Sequence, residues 1–153
     1  MDARNILLVE DLQDDIYFTI RALQLHGVDN EVAVAHDGVE ALEYLRATGQ
    51  FRDRTPGDPL LILLDLRMPR MDGLQVLREI RSDPALRHLR VVILSSSHQN
   101  PDLVEAHRLG IEAYLIKPVQ FEKFMDVVAD VSLCLVPDTS HVGARLVLGE
   151  AQA

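Results

Sequence analysis

The sequence predicts an α/β protein, a doubly wound parallel sheet of five βα units, and three observations carry that prediction. Five short runs of almost unbroken apolar residues are spaced along the chain, with little polar alternation inside them. That pattern marks strands covered on both faces, as in a parallel sheet. Between the runs, apolar residues return every three or four positions, the period of a helix with one buried face. Glycine or proline then follows most of these periodic stretches, where a helix must stop.

The first strand is Ile6-Leu7-Leu8-Val9, and Ile16, Ile20 and Leu23 form the helical stripe after it, closed by Gly27. Val32-Ala33-Val34 is the second strand; Val39, Leu42 and Leu45 follow it, with Gly49 beyond. Leu60-Leu61-Ile62-Leu63-Leu64 is the third, followed by Leu74, Leu77 and Ile80 and a stop at Pro84. Val91-Val92-Ile93-Leu94 is the fourth, with Leu103, Ala106 and Leu109 before Gly110. Ala113-Tyr114-Leu115-Ile116 is the fifth, and Phe121, Phe124, Val128 and Val131 mark its helix. Right-handed crossovers place helices on both faces of the sheet. The flavodoxin-like (βα)5 arrangement, strand order 2-1-3-4-5, is the expected topology, with ligands bound beyond the carboxyl ends of the strands.

Two segments fall outside this repeat. Residues 48–59, with Gly49, Pro56, Gly57 and Pro59 among charges, read as an extended surface loop. Residues 1–136 form one domain on this reading. Residues 137–153 form an extension carrying Val142, Leu146, Val147 and Leu148, too short to be an output domain.

Charge and composition narrow the function. A net charge of −9 and a pI near 5.0 argue against a nucleic-acid partner, which calls for a basic footprint. Of the 15 basic residues 13 are arginines, several of them between Arg67 and Arg90, and they read as solvated helix faces. No apolar run approaches the roughly 20 residues that span a bilayer, so no membrane association is expected. The N-terminus lacks the pattern of a secretory leader, and Cys134 has no second cysteine to pair with. A cytoplasmic location is the expectation.

The chemistry sits at the strand ends. Glu10 and Asp11 follow the first strand, Asp65 the third, Ser95, Ser96 and Ser97 the fourth, and Lys117-Pro118 the fifth. A parallel sheet brings all of these to one edge. Three carboxylates there repel one another unless a cation joins them. Hard oxygen ligands in a partly hydrated site suit Mg²⁺. Asp65, directly behind five apolar residues, carries a high desolvation cost unless it is paired. Only two lysines exist, Lys117 and Lys123, which makes Lys117 the natural counter-charge. The six histidines show no metal-ligand spacing; His98 alone lies near the strand ends.

Leu8-Val9-Glu10-Asp11, the stretch from Leu63 to Gly73 (LLDLRMPRMDG) and Ile116-Lys117-Pro118 together resemble the receiver domain of two-component response regulators. Ser95 lies 30 residues after Asp65 and Lys117 another 22 on, intervals that also suit that family. The stretch His36 to Leu45 (HDGVEALEYL) and the long loop before the third strand are similar to the stand-alone regulators that pair with bacterial and cyanobacterial phytochromes. The resemblance implies that Asp65 is the phosphoacceptor, attacking a phosphohistidine on a partner kinase. It implies Mg²⁺ held by Asp11, Asp65, the Arg67 main-chain carbonyl and, through water, Glu10. It assigns Lys117 and Ser95 to the phosphoryl oxygens, Ser96 to an open approach and Tyr114 to the aromatic switch. It also implies a cis Lys117–Pro118 peptide. Arg67, two residues past the phosphoacceptor, either flanks the phosphate or lies on the surface.

Two other readings compete. A haloacid-dehalogenase-type phosphatase also uses a strand-end aspartate and Mg²⁺, but it needs an aspartate where this chain has Arg67. A pseudo-receiver would bind a partner without phosphorylation, which the complete acidic pair, Asp65, Ser95 and Lys117 argue against. A flavodoxin-like cofactor binder lacks a phosphate loop after the first strand. The expected partners are a histidine kinase of phytochrome type, a phosphotransfer protein, and a second copy of the chain in a homodimer that uses residues 137–153.

Overall fold

The computed structural model describes residues 5–25, 27–96, 100–117 and 122–123. The elements run β1 (Ile6–Val9), α1 (Gln13–Leu25), β2 (Val32–Ala35), α2 (Gly38–Arg46), a 3₁₀ turn (Gly49–Phe51), β3 (Leu61–Asp65), α3 (Gly73–Ser82), β4 (Val91–Ser95), α4 (Asp102–Leu109) and β5 (Ala113–Ile116). The sheet is parallel throughout, in the order β2-β1-β3-β4-β5. The predicted topology is therefore observed. The fifth helical stripe, apart from 122–123, and the extension 137–153 lie outside the described residues, as do His98 and Pro118.

The strands are apolar on both sides because each side feeds a different core. Leu7, Val9, Ile62, Leu64, Val91 and Ile93 point into one cluster with residues of α2, α3 and α4, such as Leu42, Leu77 and Ala106. Their neighbours Ile6, Leu8, Leu61, Leu63, Val92 and Leu94 point into the other, against Ile16 and Leu23 of α1. The period of two along each strand divides its side chains between the clusters. Every residue of β1, β3 and β4 is buried, whereas β2 and β5, at the sheet edges, are partly open. Burying one such leucine or isoleucine contributes roughly 1.5–3 kcal/mol.

Local signals end the helices much as expected, with two differences. α2 stops at Ala47, which takes a left-handed backbone (φ 54°) two residues before Gly49. The segment 48–59 is not a simple extended loop. Its 3₁₀ turn sets Phe51 edge-on against buried Tyr44, centroids 5.3 Å apart, and the Arg54 guanidinium lies 4.3 Å over the Tyr44 ring. Arg54 Nε also donates to the Tyr44 carbonyl at 2.6 Å. One phenylalanine and one arginine thus fasten a stretch that its glycines and prolines would otherwise leave open.

Two glycines set the helices against the sheet. A Cβ on Gly73 would come 2.2 Å from the Asp65 carbonyl oxygen, and one on Gly38 would come 2.4 Å from the Met71 carbonyl oxygen. Any larger residue at Gly73 would push α3 away from the end of β3.

Candidate functional site

The carboxyl ends of the strands carry the candidate residues to one edge, and the ladders continue past the strands to hold them there. Glu10 N donates to the Ala35 carbonyl at 2.9 Å, Leu66 N to Leu94 at 3.2 Å and Lys117 N to Ser95 at 2.8 Å. Glu10, Asp65 and Ser95 are buried, Asp11 and Lys117 are half-buried, and Ser96 is exposed. The order of the sheet puts β1 beside β3, so Glu10 and Asp65 face each other where the chain reverses its direction of winding.

Lys117 is the hub. Its ammonium lies 3.1 Å from Glu10 Oε1, 2.9 Å from Asp15 Oδ2 and 3.4 Å from Asp65 Oδ2. Burial alone would lower the Lys117 pKa; Asp15, Asp65 and Glu10 outweigh it and push the group above its ordinary value. The reverse holds for the acids. Burial, then the charge of Asp65, raises Glu10 to about 7. Burial also raises Asp65, against the opposing pull of its hydrogen bonds with Glu10, Lys117 and the Arg67 amide. Arg67 N lies 3.3 Å from Asp65 Oδ1, while the Arg67 side chain is exposed.

One ammonium thus faces four carboxylates, and the surplus is negative. Glu10, Asp11 and Asp65 offer oxygens that all lie within 4.8 Å of one another. Asp11 Oδ1 is buried without a hydrogen-bond partner, a costly state for a carboxylate oxygen unless something positive meets it. Clustered carboxylates, an orphaned oxygen and a site open through Asp11 and Ser96 fit a hard divalent cation that keeps part of its water.

Ser95 ends β4 in register with Ile116, next to Lys117. Tyr114 sits half-buried on edge strand β5, its ring edge-on to His107 of α4 with centroids 5.8 Å apart. The structure therefore brings Glu10, Asp11, Asp65, Lys117 and Ser95 to one edge, and it leaves Tyr114 facing α4.

Asp15 belongs to the site without standing at a strand end. It lies in the first turn of α1, four residues after Asp11, and makes the shortest contact to Lys117. That spacing at a helix start was the available signal. The arginines between Arg67 and Arg90 are also more committed than solvated faces would be. Arg78 forks onto Glu105 at 2.7 and 2.8 Å, and Arg81 donates to the carbonyls of Arg87, Leu89 and Gly110. Among the described residues, no helix is long and apolar enough to cross a membrane.

A five-stranded parallel sheet with an acidic cluster and a lysine at its carboxyl edge defines a class, and the chain belongs to it: the response regulator receiver domain family matches residues 6–129. Within that family its similarities run to stand-alone phytochrome regulators. It is 38% identical over 112 residues to response regulator Rcp1 of Synechocystis sp. strain PCC 6803, covering 73% of this chain and 75% of that one. The Mn²⁺-bound crystal form of Rcp1 superposes with a TM-score of 0.70 at 34% identity, over 91% of this chain and 98% of that one. The bacteriophytochrome response regulator AtBRR gives a TM-score of 0.78 at 46% identity, over 84% and 91%. The phosphorylated cyanobacterial phytochrome response regulator RcpA gives 0.70 at 37%, over 86% and 92%.

Proposed function

We propose that this receiver is a single-domain response regulator that takes a phosphoryl group onto Asp65 from a phytochrome-type histidine kinase, with Mg²⁺ bound, and signals through protein contacts. The observation that carries the proposal is buried Asp65 set between Lys117 on one side and the Glu10–Asp11 pair on the other. Phosphorylated RcpA and Mn²⁺-bound Rcp1 support it by similarity.

In the proposed reaction an Asp65 carboxylate oxygen attacks phosphorus as the bond to the kinase histidine nitrogen breaks. The imidazole keeps the electron pair and takes up a proton, and Asp65 becomes an acyl phosphate. Asp11, Asp65 and the Arg67 carbonyl hold Mg²⁺, with Glu10 reaching it through water. The cation supplies charge neutralisation to the phosphoryl oxygens. Lys117 passes from the Asp65 carboxylate to a phosphoryl oxygen. Ser95 donates its hydroxyl to another, and Tyr114 repacks in response. Small, exposed Ser96 leaves the approach open. Receiver domain 1–136 then acts on its kinase or on a phosphotransfer protein, and the extension 137–153 serves a homodimer.

Acetyl phosphate labelling with and without Mg²⁺ tests this reading. Wild-type protein should label only with the metal present, and Asp65→Asn should abolish labelling while the fold persists. Equal labelling of the variant would displace Asp65 as nucleophile. A correctly folded wild type that never labels would make the chain a phosphorylation-independent interaction module.

A further inference from the structure

The loop after Asp65 contains a feature that none of the site roles above uses. Arg70 has a left-handed backbone, φ 64°, a region that side chains other than glycine and asparagine seldom enter. Such a residue persists where its surroundings hold it there, and here they do. Arg70 Nε donates to Asp37 Oδ2 at 2.7 Å and Nη2 to Asp37 Oδ1 at 3.1 Å, a two-pronged ion pair. Asp37 is nearly buried and caps α2 by accepting from Glu40 N at 2.9 Å. One residue further along each segment, Gly38 N donates to the Met71 carbonyl at 3.1 Å, and nothing larger than glycine fits there.

We propose that the Arg70–Asp37 fork is a positioning clamp that fixes the β3–α3 loop on the N-terminus of α2 and so sets the Arg67 main-chain carbonyl for the divalent cation. This rests on the receiver reading given above and names a residue pair acting through that loop. The loop is pinned at three places. Leu66 N is held by the Leu94 carbonyl, Gly73 N by the Leu66 carbonyl, and Arg70 and Met71 by Asp37 and Gly38. Between the first pin and the clamp lie only Arg67, Met68 and Pro69, the last with its φ fixed by its ring. Releasing Arg70 therefore frees the short span that carries the metal's main-chain ligand. Asp37 stays ionised within the clamp. Burial opposes that charge, but the Arg70 fork and the Glu40 amide hold its pKa below the usual carboxylate value. Arginine, unlike lysine, supplies both prongs from one planar group.

The test is Mg²⁺ titration by calorimetry on the full chain, alongside metal-free melting curves. Arg70→Gly keeps a left-handed backbone accessible and removes the fork. Its Mg²⁺ Kd should rise about tenfold, the low end of what loss of a supporting partner costs a metal site, with metal-free melting little changed. Arg70→Lys should fall between it and wild type, and it carries the test if the glycine variant fails to fold. Arg78→Ala removes a comparable fork, to Glu105 on α4, and should leave the Kd unaltered. A wild-type Kd in both Arg70 variants, or an equal rise in Arg78→Ala, overturns the clamp while leaving the receiver reading in place. Absence of Mg²⁺ binding by wild type overturns both.

Discussion

Glu10→Gln tests whether the site's negative surplus is felt by the whole fold. The Glu10 carboxyl ionises at about 7 where an ordinary glutamate ionises at 4.5. At about 1.4 kcal/mol per pH unit, that difference corresponds to about 3 kcal/mol. The sign follows from proton counting. Between 4.5 and 7 the native chain keeps a proton that the unfolded chain has released, so metal-free stability falls as pH rises through this window and levels off above it. Glutamine stands in for the protonated acid at every pH. The assay is urea unfolding in chelator from about pH 4.5 to about pH 8, with the difference between wild type and variant cancelling histidines and other carboxylates. Wild type should lose up to about 3 kcal/mol relative to the variant, and saturating Mg²⁺ at the alkaline end should recover much of that loss. Parallel pH curves for the two proteins would refute the reasoning, since burial and Asp65 would then not be straining Glu10.

Three further outcomes follow from the geometry. Lys117→Ala removes the one ammonium shared by Glu10, Asp15 and Asp65; acetyl phosphate labelling should become weak and uncoupled from any partner response, and normal labelling with a normal response would remove its assigned role. Arg67→Ala should change the lifetime of the Asp65 phosphate, followed by radiolabel decay, more than the Mg²⁺ Kd, because only the main chain of Arg67 is assigned to the cation; an unchanged lifetime would place the exposed side chain in kinase docking instead. Truncation after Val136 should convert a homodimer to monomer in light scattering. A monomeric full-length chain, or a dimer that survives truncation, would deny the extension that part.

Sheet order and the reactive edge were legible because both depend on features written in consecutive residues. Apolar runs of four or five residues locate strands, and the residue after each run must lie at the edge. Glu10, Asp65, Ser95 and Lys117 are all found this way. What stayed hidden depends on side chains that reach across the fold. Asp15 meets Lys117 from a separation of 102 residues, and nothing local distinguishes it from Asp14 beside it. The Arg70–Asp37 fork was equally unreadable, since arginine gives no hint of a left-handed backbone and Asp37 looks like an ordinary helix cap. The 48–59 segment misled for a related reason. Its glycines and prolines describe the backbone, whereas Phe51 and Arg54 decide its packing through Tyr44.

The balance of charge at the strand ends also bears on how a phosphoryl group could be sensed there. Phosphorylation of Asp65 would remove one carboxylate charge and add about −1.5 to −2, so the net change at the site is on the order of one charge or less. That is small beside the surplus already present, with Glu10, Asp11, Asp15 and Asp65 facing Lys117. Bulk repulsion is therefore a poor switch in this protein. What changes more is the supply of acceptors, because three oxygens project beyond a carboxylate that is otherwise buried. Ser95 and Lys117 already stand side by side at the ends of β4 and β5. Answering those oxygens asks only for local movement, and Tyr114, three residues before Lys117 and packed against α4, is placed to carry that movement to the outer helix.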